Sequence, residues 1–240
     1  MIERGSRPKI SAGQLTLSGD RVFFSIQGEG PSIGQPAIFL RLHLCNLSCS
    51  WCDTPYTWDE KSDAFWNEWK QFSIDEVVQE LSKYPCKRLV ITGGEPLLQQ
   101  DSITTLIAKL ENWSIEIETN GTIVPKKELA ELCQFNVSPK LSNSGIPYEK
   151  RIKPDSIKAF LEIEKVSFKF VAASNDDLSE VQEIAQQYSI PASKIIIMPE
   201  GTSADKISLR LQLLAEKCRD FGYRILPRMH VQIWGNQRGV

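Results

Sequence analysis

Apolar residues fall into short runs rich in Ile, Val, Leu and Phe, separated by stretches in which apolar positions recur every three to four residues. The runs at 37–44, 88–92, 115–119, 135–138, 167–171 and 195–198 predict six strands. Helical spacing predicts a helix opening at the capping box Ser73-Ile74-Asp75-Glu76 and reaching about Lys83, with others over 101–110, 125–132, 176–188 and 204–219. Strand followed by helix, repeated along a chain, implies a parallel sheet. A closed eight-stranded barrel needs ~250 residues without any arm. The fold class is therefore α/β, an open, partial parallel β/α barrel of about six strands. Residues 1–35 read as an N-terminal arm ending in a Gly- and Pro-rich loop, and 36–240 as the barrel and a tail, all within one domain.

Side chains alternate along a strand. In the first predicted strand Ile38, Leu40, Leu42 and Leu44 share one face, while Phe39, Arg41, His43 and Cys45 share the other. The aliphatic face suits packing against outer helices, which leaves Arg41 and His43 looking into the barrel. Ile115 and Ile117 against Glu116 and Glu118 repeat the pattern. A lumen built only for packing is filled with branched aliphatics, so ionisable inward residues point to a polar lumen. The alternative is an edge strand with one solvated face.

Composition narrows the function. A 240-residue chain with 41% hydrophobic residues can bury a sizeable core, and a net charge of −2 implies no broad basic surface for nucleic acid. The pairs Lys87–Arg88 and Lys126–Lys127 read as solvated faces. No apolar run approaches the ~18 residues of a membrane span, and residues 1–6 lack the apolar stretch of a signal peptide. The expected location is cytoplasmic, where a disulfide framework is not expected. Of the six cysteines, Cys86, Cys133 and Cys218 are dispersed and read as core residues.

The other three form Cys45-Asn46-Leu47-Ser48-Cys49-Ser50-Trp51-Cys52, three thiolates in a loop that follows a strand. Iron–sulfur clusters are held by thiolates, usually four, so three ligands leave one iron of a cubane open for chemistry. The alternative is a structural zinc site, which wants four protein ligands, commonly from paired Cys-x-x-Cys motifs. No second such motif follows, although His43 could serve as a fourth ligand.

The pattern Cys-x-x-x-Cys-x-aromatic-Cys, with Trp51 as the aromatic, resembles the signature of radical S-adenosylmethionine (SAM) enzymes. The resemblance implies a [4Fe–4S] cluster on Cys45, Cys49 and Cys52. Its open iron would chelate SAM, which is cleaved to a 5′-deoxyadenosyl radical when an electron arrives from a donor such as flavodoxin or ferredoxin. Further segments fall at strand ends, where active sites of parallel α/β folds gather. Thr92-Gly93-Gly94-Glu95-Pro96 is similar to the family's Gly-Gly-Glu-Pro motif, so Gly94 and Glu95 are expected near the methionine amine. Asn120, in the segment 118–122, is expected near the ribose. Ser138, Pro139 and Lys140, together with Met198, Pro199, Glu200 and Gly201, resemble segments that line the cofactor. Each segment also reads as an ordinary turn.

Ser25-Ile26-Gln27-Gly28-Glu29-Gly30 places a glutamine and a glutamate among glycines, a set that can read a flat heterocycle with paired N–H donors. Arg41 suits a carboxylate. Gln-Gly-Glu-Gly, then Arg41, then the cysteine motif with Asp53-Thr54 resembles the 7-carboxy-7-deazaguanine synthase branch, and the resemblance spans essentially the whole chain. It implies conversion of 6-carboxy-5,6,7,8-tetrahydropterin to 7-carboxy-7-deazaguanine with loss of ammonia. It also implies substrate contacts from Ile26, Gln27, Gly28, Glu29, Arg41, Thr92 and the carboxylate of Val240, a Mg²⁺ on Thr54, and a homodimer. Two positions depart from that pattern. His43-Leu44 replaces a small pair before the first cysteine, and Trp234 stands where many relatives carry His, from where it could stack on a pterin. Three alternatives stay open: a glycyl-radical-activating enzyme, a zinc-stabilised binding module, and another pterin-directed radical enzyme with a different product.

Overall fold

The computed structural model describes residues 8–240; the segment 1–6 read above lies outside the described residues. Among the described residues nine strands form one sheet: β1 Gln14–Ile26, β2 Pro36–Leu42, β3 Trp69–Ser73, β4 Arg88–Gly93, β5 Ser114–Thr119, β6 Gln134–Val137, β7 Val166–Ala172, β8 Ile195–Pro199 and β9 Arg224–Ile225. Their spatial order is β3-β1-β2-β4-β5-β6-β7-β8-β9. From β2 to β9 every pairing is parallel, whereas β1 pairs antiparallel with both β2 and β3. β3 and β9 are the two edges, so the sheet is an open, partial barrel with the six expected parallel strands at its centre.

The expected arm is largely a strand. β1 buries Leu15 and Leu17 in the core, but its register with β2 shifts between Leu17 and Val22, where Gly19 and Arg21 adopt positive φ. That irregularity interrupts the two-residue alternation and hides the strand in the sequence.

Helices cover the outer face. Ile74–Leu81 opens on the capping box, Ser73 Oγ accepting from Glu76 N at 3.3 Å and Glu76 Oε2 accepting from Ser73 N at 2.8 Å. Asn175–Tyr188 opens on a second, from Ser174 and Asp177. The helices Asp63–Asn67, Tyr148–Arg151, Pro154–Leu161 and Met229–Trp234 lie outside those predicted from the sequence. The core between sheet and helices is continuous from Leu15 to Cys218 and includes Ile38, Leu40, Leu42, Ile115 and Ile117. Each such buried aliphatic contributes about 1.5–3 kcal/mol relative to an exposed one. Cys133 and Cys218 lie within it, but Cys86 is half-buried, its Sγ 3.4 Å from the Pro36 carbonyl. Among the described residues no helix is long and apolar enough to cross a membrane.

Candidate active site

β2 ends at Leu42, and Leu44 takes φ +77°. The alternation expected to run through residue 45 therefore stops at Leu42, and His43 falls outside the strand that carries Arg41. His43 does not reach the lumen. It is fully buried, its ring 4.7 Å from that of Phe65, with neither ring nitrogen hydrogen-bonded. Burial holds it neutral, its pKa pushed down to about 4. It is therefore not placed to complete a zinc site.

The chain then enters the cysteine loop. Cys52 N donates to the Cys49 carbonyl at 3.1 Å, and Ser50 N donates to the Ser144 carbonyl at 3.0 Å. Trp51 Nε1 donates to Asn143 Oδ1 at 3.1 Å, and Lys140 Nζ sits 5.4 Å from the Trp51 ring centroid. The backbone of Gly93 and Gly94 packs so closely on Leu42 and Leu44 that a side chain at either would collide with main chain. These glycines allow strand end to meet strand end, with Glu95 N donating to the Leu44 carbonyl at 2.8 Å.

All three thiols are free and face one cavity of about 270 Å³. Burial pushes the Cys45 thiol up to about 12 and raises that of Cys49, so their thiolate forms need a cationic partner. Among the described residues no three His, Cys, Asp or Glu side chains converge as the ligands of a single ion do. A cubane takes one thiolate per iron at separate corners. The donor set, three soft thiolates without a fourth ligand, fits a [4Fe–4S] cluster.

Among apolar side chains such as Phe23, Phe39 and Met198, the cavity wall carries ionisable groups, as the inward Arg and Glu positions led one to expect. Arg41 lies over the Phe23 ring at 5.5 Å, and its Nε is buried without a hydrogen-bond partner. Glu118 accepts from Thr92 Oγ1 at 2.8 Å and from Gln27 Nε2 at 3.1 Å. Glu29, nine-tenths buried, accepts from Lys169 Nζ through one oxygen and from Arg228 Nε at 2.9 Å through the other. Burial alone would raise the Glu29 carboxyl, but the Lys169 ammonium and the Arg228 guanidinium outweigh it and hold it well below the usual carboxylate range. Lys169, though buried, is kept charged by Glu29 and Glu118. Deeper in the lumen, Glu116 accepts from Arg88 at 2.7 Å and from Asn136 at 3.1 Å.

The expected substrate residues Ile26, Gln27, Gly28, Glu29, Arg41, Thr92 and Val240 all line this cavity, as does Thr54, whose Oγ1 is 3.5 Å from Cys52 Sγ. Of the expected cofactor residues, Gly94, Asn120, Ser138, Lys140, Met198, Glu200 and Gly201 line it; Glu95, Pro139 and Pro199 are buried behind it. Asn120 Nδ2 lies 4.0 Å from Cys45 Sγ and 2.8 Å from Asn46 Oδ1. Lys140 Nζ donates to Ser138 Oγ at 2.9 Å. The Glu200 carboxylate turns to Lys206 and Arg210 of the following helix. Trp234 is not a lining residue; His230 is, packed against Gly28 so tightly that any side chain at Gly28 would strike it.

Sequence reasoning missed Lys169, Arg228 and His230. A signal existed for Lys169, the lone charge in the run Val166-Ser167-Phe168-Lys169-Phe170, whose two phenylalanines face the core. None existed for Arg228, which meets its partners across 199 and 175 residues of chain.

Comparison with known proteins adds an independent line. A family model described as the Radical SAM superfamily matches residues 41–199. A protein of Pyrobaculum aerophilum named 7-carboxy-7-deazaguanine synthase is 35% identical over 222 residues, covering 91% of this chain and 95% of the relative. One of Hyperthermus butylicus with the same name is 33% identical, covering 97% and 99%. The crystal structure of QueE from Escherichia coli superposes with a TM-score of 0.70 at 26% identity, covering 90% of this chain and 95% of that one.

Proposed function

Because this chain belongs to the radical SAM superfamily and, within it, to the 7-carboxy-7-deazaguanine synthases, lyases of 7-deazapurine biosynthesis, we propose that its cavity is where a carboxylated tetrahydropterin is contracted to 7-carboxy-7-deazaguanine with loss of ammonia. The observation that carries this reading is a shared wall: Cys45, Cys49 and Cys52 line the same cavity as the guanidinium of Arg41 and the carboxylates of Glu29 and Glu118. When bound on the three thiolates, a [4Fe–4S] cluster with SAM supplies the radical chemistry.

The protein's own part is binding and orientation. Arg41, with a buried donor unmatched in the protein, pairs with the substrate carboxylate. Glu29 is ionised and fixed by two cations, and each of its oxygens keeps a lone pair for the N–H donors of an amino-pyrimidinone edge. Gln27 and Thr92 hold Glu118 beside it, and Ile26 and Gly28 bring their backbone to the ring. Gly94, Asn120, the segment 138–140 and the segment 198–201 surround SAM, while Glu95 acts from behind through Thr119 and Asn120. Thr54, whose hydroxyl lines the cavity, would offer a hard oxygen to Mg²⁺, a cation that prefers oxygen ligands. The remaining elements of the reading are a small electron-donor protein such as flavodoxin or ferredoxin, a cytoplasmic setting, a homodimer, no nucleic acid or membrane partner, and a single core domain over 1–240 comprising the arm, the barrel and the tail.

Arg41→Ala tests this assignment. The expected result is a pterin KM raised by roughly 10- to 100-fold, as for loss of a charged hydrogen bond, with slow uncoupled release of 5′-deoxyadenosine retained. Equal loss of both activities would contradict the role given to Arg41.

A further inference from the structure

Arg228 follows β9 and joins three separate loops through one guanidinium. Its Nε donates to Glu29 Oε1 at 2.9 Å, its Nη2 to Asp53 Oδ2 at 2.6 Å, and its Nη1 to the Gly201 carbonyl at 2.9 Å. The side chain is 12% exposed. The three partners belong to the loop read as holding the pterin, to the residue between Cys52 and Thr54, and to the segment read as lining SAM. A planar fork with five donors in fixed directions can register three acceptors at once; a lysine ammonium, a point charge on a flexible stem, cannot.

Neither the charge of Glu29 nor the seating of the tail requires Arg228 alone. Lys169 independently holds the other oxygen of Glu29. The tail is also fastened by Leu226 N to the Ile197 carbonyl at 3.0 Å, by Met229 N to the Gly28 carbonyl at 2.9 Å, and by Arg238 Nη2 to Glu68 Oε2 at 2.6 Å. What Arg228 adds is relative position. Without it Glu29, still paired with Lys169, gains freedom to turn, and Asp53 loses its link through Arg228 to the substrate loop.

We propose that Arg228 is a positioning residue that holds the substrate-reading carboxylate of Glu29 in register with the cysteine loop and the SAM segment, and so sets where the pterin sits relative to the radical. This rests on the pterin reading above. It separates binding geometry from SAM binding: the pterin loses its register, while SAM keeps its other contacts.

The test uses reconstituted, cluster-loaded wild-type, Arg228→Lys and Arg228→Gln proteins. Four quantities are measured: the affinity for fluorescent 6-carboxypterin in the presence of SAM without reductant, the affinity for SAM alone, the melting temperature, and the ratio of 5′-deoxyadenosine to 7-carboxy-7-deazaguanine under turnover. Both variants are expected to bind 6-carboxypterin about 10- to 100-fold more weakly, the range for a small misplacement in a site, and to release more 5′-deoxyadenosine per product. SAM affinity should stay within about twofold of wild type, and Arg228→Lys, which keeps the charge beside Glu29 and Asp53, should melt closer to wild type than Arg228→Gln. Pterin affinity and product ratio both at wild-type values, full rescue by Lys, or a fall in melting temperature with an unchanged ratio would each overturn the inference. A wild-type enzyme that makes no product from the tetrahydropterin would overturn the substrate reading itself, an outcome visible before any variant is compared.

Discussion

The carboxylate of Glu95 accepts the backbone N–H of Asn120 at 2.7 Å. With Thr119 Oγ1 at 2.7 Å and Leu97 N at 2.9 Å it ties the end of β4 to the end of β5, and it does so from a fully buried position. A glycine-rich motif that reads as a ligand loop is thus also a joint between strands. Glu95→Ala leaves these buried donors unpaired and should cost about 2–4 kcal/mol. Urea denaturation of the cluster-free protein measures this, and a loss under about 0.5 kcal/mol would mean that Glu95 serves the ligand alone.

Gly94 makes the same joint from the other side. A methyl group there would meet the Leu44 carbonyl and the Cys45 nitrogen, both main chain. Gly94→Ala should displace the cysteine loop and lower reconstituted iron to less than half of wild type, although no ligand is touched. Full iron loading in that variant would show the loop to be more compliant than its packing implies.

How far the site could be read from the sequence follows from how local each signal is. The cysteine motif, the glycine-rich turn and the inward pair Glu116–Glu118 are contiguous or alternate in strands, so they are legible without a fold. The outcome for His43 shows the limit. Strand alternation carries Arg41 correctly into the lumen, but β2 ends at Leu42, one residue before His43, and no residue type announces that end. β1 was hidden by its own irregularity, and the partners of Glu29 by chain distance.

The cysteines divide cleanly by position. Serine at Cys45, Cys49 or Cys52 should abolish the brown chromophore, whereas Cys86→Ser, on the half-buried residue away from the cavity, should retain about four irons per chain. Iron and sulfide analysis after anaerobic reconstitution decides this. Iron retained by a Cys49→Ser protein, or lost from Cys86→Ser, would require a different ligand set.

The Glu29–Lys169 pair carries a pH signature. The Glu29 carboxyl is held well below its ordinary 4.5, with Lys169 the strongest charge opposing its burial. A group whose folded pKa is depressed contributes stability that is complete above its unfolded value and is lost as pH falls through the folded one. Lys169→Met raises the Glu29 pKa, so its melting temperature should lie below that of wild type by the widest margin above about pH 5. The margin should narrow as pH falls below about 4.5, where Glu29 of the unfolded chain takes up a proton, and close only once pH passes below the depressed value of the folded wild type. A margin constant from pH 7 to pH 3.5 would exclude this coupling.

Thr54 carries the proposed Mg²⁺. Thr54→Ala should raise the Mg²⁺ concentration needed for half-maximal product formation about tenfold, the lower end of the effect of losing a metal-site group, while leaving the cluster intact. Identical Mg²⁺ titrations for the two proteins would remove Thr54 from that role.

The central claim, that one cavity brings a three-thiolate cluster together with a carboxylated pterin, is tested most directly by product identity. The reconstituted protein would be mixed anaerobically with SAM, a strong reductant, Mg²⁺ and 6-carboxy-5,6,7,8-tetrahydropterin, and the products identified by mass spectrometry. The expected result is 7-carboxy-7-deazaguanine with an equivalent of ammonia. Release of 5′-deoxyadenosine with the pterin recovered unchanged would contradict it.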